Sequence, residues 1–123
     1  MQEHLIQFDE MVCDSVQHIT ASGKLTYNNY EEAKMKLAAL NKTSKGCIMD
    51  IRKLTLIDST GFGVLIYYKN KIASSACPMV IILDDSIIRE LFYIAKLDLV
   101  FTLCGSLEEA RKIMEACSKG GAD

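Results

Sequence analysis

Apolar and polar positions change period several times along this chain, and the changes mark out its elements. Ile6 and Phe8 alternate with Gln7, and Val16, His18 and Thr20 alternate with Ser15 and Gln17. Residues 4–8 and 13–20 therefore read as two short strands. The intervening Asp9-Glu10 suits a turn, which predicts an antiparallel pair. Gly23 breaks the pattern.

The period then becomes helical. Tyr30, Ala33, Leu37 and Leu40 form a stripe, with Glu31, Lys34 and Lys36 off it. Asn28 followed by Glu31 resembles an N-cap pair, and Asn41-Lys42 is the expected end. Cys47 to Ile51 reads as a strand. Phe62, Leu65, Ile66, Ile72, Ala73 and Ala76 make a second helical stripe. Pro78 to Leu83 is a continuous apolar run, the pattern of a parallel strand covered on both faces.

Asp84-Asp85-Ser86 supplies acceptors for a third helix start. Ile87, Ile88, Leu91, Ile94 and Ala95 follow at helical spacing. Leu99 to Leu103 reads as a short last strand. Ser106 with Glu109 forms a capping box for a helix carrying Leu107, Ala110, Met114 and Cys117. Ser118 to Asp123 lacks packing residues and is expected to fray. The order is β-β-α-β-α-β-α-β-α. Strands alternating with helices predict parallel pairing through right-handed crossovers, in one α/β domain spanning residues 1–123.

Composition narrows the function. The 123 residues are 50% apolar and 24% charged, with a net charge of −2. That balance gives no general attraction to nucleic acid or anionic membrane, and no basic cluster interleaved with aromatics occurs. Met1-Gln2-Glu3-His4 lacks the layout of a signal peptide, and no apolar stretch approaches the ~18 residues of a membrane span. A cytoplasmic location without direct membrane insertion is expected. Cys13, Cys47, Cys77, Cys104 and Cys117 are odd in number and widely spaced, so five reduced thiols are expected. His4 and His18 are isolated, and no metal or cofactor is assigned.

The most informative stretch is Asp58-Ser59-Thr60-Gly61-Phe62-Gly63. It follows the strand-like Leu54-Thr55-Leu56-Ile57 and opens the run Val64-Leu65-Ile66-Tyr67-Tyr68. A small hydroxyl residue thus sits where a helix begins. Backbone N–H groups there lack partners inside the helix and favour negative charge. Two glycines permit a tight turn and close approach by another molecule. Such a place can bind phosphate or become phosphorylated.

Three places in this pattern resemble the STAS domain of bacterial anti-sigma-factor antagonists, over roughly residues 4 to 117. Ile57 to Gly63, preceded by Met49-Asp50-Ile51, is similar to the family's Asp-Ser-Ser/Thr-Gly-Leu-Gly core, with Phe62 in place of Leu. Gly23-Lys24-Leu25-Thr26 resembles its Gly-x-Leu-Asp stretch, with Thr26 where an acid is usual. Ser106 to Ala110 resembles the start of its closing helix. Lys96 stands where many relatives have a small residue.

The resemblance implies a curved mixed sheet flanked by helices, and a function in partner switching. The unphosphorylated antagonist binds an anti-sigma factor that is also a serine kinase of the GHKL type, and a sigma factor is released. The kinase phosphorylates the serine after the motif Asp, here Ser59, and a PP2C-type phosphatase reverses this. Asp58 to Gly63 is then the switch loop, and the protein is not an enzyme.

Other readings remain open on the residues. Ser59 alone could be a helix cap, and Thr60 is the competing acceptor. Asp58 is expected to order the turn through side-chain hydrogen bonds. Gly61 and Gly63 could cradle a nucleotide phosphate, although neither a Walker A nor a G-x-G-x-x-G pattern is present. The chain could instead be a STAS subunit of a stress-sensing or phospholipid-transport complex. Asp50 reads as structural. Of Tyr67 and Tyr68, one is expected to pack and the other to face a partner.

Overall fold

The computed structural model describes residues 5–40, 46–72 and 78–121, with side chains through residue 117. Its elements are β1 (Ile6–Cys13), β2 (Val16–Leu25), α1 (Tyr30–Ala38), β3 (Gly46–Ile57), α2 (Ser59–Lys71), β4 (Met79–Ile82), α3 (Ser86–Ile94), β5 (Thr102–Cys104) and α4 (Leu107–Gly121). A one-turn 3-10 helix, Leu97–Leu99, lies between α3 and β5. The order is the one the periodicity predicts.

The five strands form one mixed sheet in chain order. β1 pairs antiparallel with β2, and all later pairs are parallel. Successive right-handed crossovers that always move the same way place their helices on one face. Accordingly, residues of α1, α2 and α3, including Leu37, Leu65, Tyr68 and Phe92, share a core with Ile19, Met49 and Ile81. On the other face, Ala110 and Met114 of α4 pack on Ile48, Val80 and Ile82. All four residues of β4 are buried, as expected of a strand covered on both sides.

The first hairpin is longer than the sequence predicts. Asp9 and Glu10 do not turn; they pair with Thr20 and Ile19 inside the ladder. The turn is at Asp14 and Ser15, with φ of 53° and 69°. Positive φ at both central residues matches the right-handed twist of a two-residue hairpin. Acidic side chains suit an outer strand, where they discourage pairing with other chains. Gly23 does not end β2 but lies within it at φ 102°, where a Cβ would run into the Leu5 carbonyl oxygen.

Other boundaries shift for identifiable reasons. The residue before α1 is Asn29, not Asn28, and its side chain does not cap the helix. Instead Asn29 Oδ1 accepts from the Thr26 N–H at 3.0 Å and Nδ2 donates to the Lys24 carbonyl at 2.8 Å, fixing the turn that enters α1. The last strand is Thr102–Cys104 rather than 99–103, because Leu97–Leu99 closes a helical turn first. At α4, Glu109 N–H donates to Ser106 Oγ at 3.1 Å, but the Glu109 carboxylate reaches back to the Gly105 N–H, at 2.8 Å. Helical backbone in α4 continues to Gly121. The expected helix end at Asn41-Lys42, and Ala73, Ala76 and Cys77, lie outside the described residues.

The cysteines depart from expectation in one respect. Cys13, Cys47 and Cys104 are free, but Cys117 is disulfide-bonded. Wide spacing in sequence does not exclude a disulfide. Cys47 behaves as a small core hydrophobe: burial, with the Glu10 charge adding to it, pushes its thiol pKa up to about 12.

Candidate functional site

Asp58 is the only residue between β3 and α2, so strand and helix meet at a sharp corner. Its backbone is extended, at φ −117° and ψ −174°, and its carboxylate caps the helix. Oδ1 accepts from the Gly61 N–H at 2.9 Å, while Oδ2 accepts from the Tyr27 N–H at 3.0 Å. Asp58 thus ties the start of α2 to the turn before α1, and its expected ordering role is what the geometry displays. Its own N–H donates to the Leu25 carbonyl at 3.3 Å, which fastens the corner to the end of β2.

The cap is therefore Asp58 and not Ser59. Ser59 is the first residue of α2 and is exposed. Its hydroxyl lies outside the cap, at the positive end of a 13-residue helix. Thr60 is half-buried, one position further in.

The two glycines have different duties. A Cβ on Gly61 would collide with the Leu25 carbonyl oxygen and come within 2.8 Å of Ile57 Cγ1, so Gly61 is needed inside the fold. Around a Cβ on Gly63 nothing lies within 4 Å. Gly63 is exposed and one helical turn from Ser59, so the two share a face. Phe62 points the other way, into the core, and meets Phe92 edge-on with ring centroids 4.9 Å apart. Of the six motif residues, the structure brings Ser59 and Gly63 to the surface, half-buries Asp58 and Thr60, and encloses Gly61 and Phe62.

An aromatic and basic cluster runs from this corner along α1 and α2. The exposed Tyr27 ring stacks on Tyr30 at 5.9 Å. Lys34 Nζ lies 5.6 Å from the Tyr30 ring centre and 4.8 Å from that of Tyr67, and Lys71 Nζ lies 5.2 Å from the Tyr67 ring centre. Tyr27 lies outside every motif in the sequence; an aromatic among turn formers, Thr26-Tyr27-Asn28-Asn29, is the signal that marks it. Tyr68 is the buried member of its pair, its hydroxyl donating to Gln17 Oε1 at 2.7 Å. Tyr67 is half-buried.

Asp50 is structural. Arg52 grips it through Nε at 2.9 Å and Nη2 at 2.7 Å. Burial pushes the Asp50 carboxyl up, but the Arg52 hydrogen bonds and charge outweigh that and hold it below its ordinary value. No group of three or more His, Cys, Asp or Glu suited to a metal occurs among the described residues, and no helix among them is long and apolar enough to cross a membrane.

Comparison with known proteins agrees with the fold. The family model described as the STAS domain matches residues 12–110. Curated protein sequences give no match. Among solved structures, an anti-sigma factor antagonist from Mycobacterium paratuberculosis superposes with a TM-score of 0.77 at 16% identity, covering 88% of this chain and 92% of that one. The Bacillus cell fate determinant SpoIIAA in its phosphorylated form gives 0.57 at 20% identity, over 88% and 97%. A sulfate transporter family protein from Wolinella succinogenes gives 0.65 at 16%, over 89% and 92%. At these identities the likeness establishes the fold.

Proposed function

Because the chain belongs to the STAS domain family, we propose that it is an anti-sigma-factor antagonist whose binding is switched by phosphorylation of Ser59. The carrying observation is the division of labour at the start of α2. Asp58 satisfies the cap, while Ser59 stays exposed at the helix N-terminus. A serine held there for capping would have its oxygen engaged; this one is presented outward.

The switch is electrostatic. Phosphorylation adds about −1.5 to −2 charges. The N-terminus of α2 tolerates that charge, so the fold persists. A partner surface that packs against a neutral serine does not tolerate it, and Gly63, one turn along with open space around it, gives that surface room for close approach. The Asp58–Gly63 segment is the switch loop. The partner is an anti-sigma factor of the GHKL serine-kinase type, and a PP2C-type phosphatase restores the binding form. The protein acts by binding rather than by catalysis, in the cytoplasm.

The solved relatives named as anti-sigma factor antagonists support this reading, as does one solved in a phosphorylated form. A nucleotide cradle built from Gly61 and Gly63 is disfavoured, because Gly61 is packed against Leu25 and Ile57. The sulfate transporter relative leaves a membrane-complex subunit as the competing role. Incubation with a purified GHKL-type anti-sigma factor and ATP, followed by peptide mapping, tests the assignment. Phosphate on Ser59 is expected; phosphate on Thr60, or none, contradicts it.

A further inference from the structure

Helix α3 buries one apolar stripe and exposes another. Ile88 and Phe92 face the core, and Leu97 and Phe101 continue that buried side. Ile87, Leu91 and Ile94 recur at i, i+4 and i+7 on a different face and are 71%, 37% and 68% exposed. Leu99 (79%) and Val100 (37%) follow in the turn after the helix. Of the five positions in the predicted α3 stripe, only Ile88 is buried. Scattered exposed aliphatics are ordinary, but an aligned series of this size marks a contact surface.

The charges around it narrow the occupant. Asp85, Glu90 and Asp98 are exposed along the same stretch, against the single exposed base Lys96. Arg89 is half-buried, its Nη2 donating to the Leu83 carbonyl at 3.1 Å. An acid-rimmed stripe repels anionic lipid headgroups. A two-fold pairing with a second copy would set the same acids against one another. A helix with aliphatic residues on one side and basic residues flanking them satisfies both stripe and rim.

We propose that α3 and the turn after it form a docking surface for a basic amphipathic helix of a protein partner. On the buried side of the same helix, Phe92 packs on Phe62 in the first turn of α2, so α3 sits against the helix that carries Ser59. Assigning the docked helix to the anti-sigma factor rests on the function proposed above; the surface itself does not depend on Ser59.

The test measures binding of a purified GHKL-type anti-sigma factor to wild type, Ile94→Asp, Leu99→Asp, the double variant Glu90→Lys/Asp98→Lys, and Ser59→Asp, with thermal melts of each. Both aspartate variants are expected to weaken binding at least about tenfold with Tm unchanged, since both positions are exposed. The charge-reversed variant is expected to bind more weakly and to lose most of its salt dependence. Wild-type affinity in both aspartate variants, with Ser59→Asp still impaired, overturns the docking surface and leaves the phosphorylation switch standing. Impaired stripe variants beside an unaffected Ser59→Asp support the surface and sink the switch.

A partner-free measurement keeps the claim testable if no anti-sigma factor binds. The isotopically labelled chain is titrated with a short Leu/Lys amphipathic helical peptide. Amide shifts are expected to cluster at Ile87, Leu91, Ile94 and Leu99. Shifts centred elsewhere, or self-association of the wild type that Ile94→Asp abolishes, overturn it.

Discussion

The Asp58 carboxylate caps the Gly61 N–H at 2.9 Å, and that one bond separates two roles that sequence alone leaves merged. Asp and Ser are both good caps and stand side by side. Only the geometry tells which one closes the helix.

Stability follows from that assignment. Asp58→Ala loses the cap and the link to Tyr27, and should cost about 0.5–2 kcal/mol. Ser59→Ala should stay within about 0.5 kcal/mol of wild type, as for an exposed position away from such features. Urea denaturation of the two variants checks this. A larger loss in Ser59→Ala than in Asp58→Ala would reverse the roles.

The glycines should respond in opposite directions. Gly63→Ala meets open space in a helix and should stabilise the chain by about 0.5–1 kcal/mol. The same methyl should weaken binding if a partner approaches there. Gly61→Ala must displace the Leu25 carbonyl or the Ile57 side chain, and should destabilise by about 1–3 kcal/mol. Paired melts and binding curves test both; a Gly63→Ala variant that is more stable and binds normally removes Gly63 from the interface.

Thiol chemistry gives a separate check. The buried Cys47, with its pKa pushed up to about 12, should resist alkylation in the native protein, while the exposed Cys13 reacts. Titration of denatured, unreduced protein should count fewer than five thiols, because Cys117 is disulfide-bonded. A count of five would contradict that bond.

Acid should loosen the Asp50–Arg52 pair. The Asp50 pKa is lowered in the folded state from its ordinary unfolded value. Its contribution is therefore fully present above that unfolded value and is lost as pH falls through the lower folded value. Arg52 is partly exposed, so the pair is worth no more than about 1 kcal/mol. Asp50→Asn should narrow its gap from wild type below about pH 4, measured by melts across pH. A gap that stays constant down to acid would exclude this linkage.

The element order was legible because period two and period 3.6 alternate cleanly from Val16 to Met114. The first hairpin was not, because Asp9 and Glu10 look like turn residues when they lie on an outer strand. The β5 boundary was obscured because Leu99 and Val100 are apolar without being buried, and apolarity alone cannot report exposure. The same ambiguity hid the two faces of α3. At the site, the motif located the corner, but the different duties of Gly61 and Gly63 depend on the Leu25 carbonyl, which is distant in sequence.

Charge at Ser59 is proposed to govern partner choice without altering the fold. Wild type, Ser59→Ala, Ser59→Asp and the Ser59-phosphorylated protein should be titrated against one purified GHKL-type anti-sigma factor in the presence of ADP, alongside circular dichroism of each. Wild type and Ser59→Ala should bind alike, and the two charged forms at least about tenfold more weakly, with all four equally folded. Equal affinity across all four forms, or weakened binding that tracks loss of structure, would contradict it.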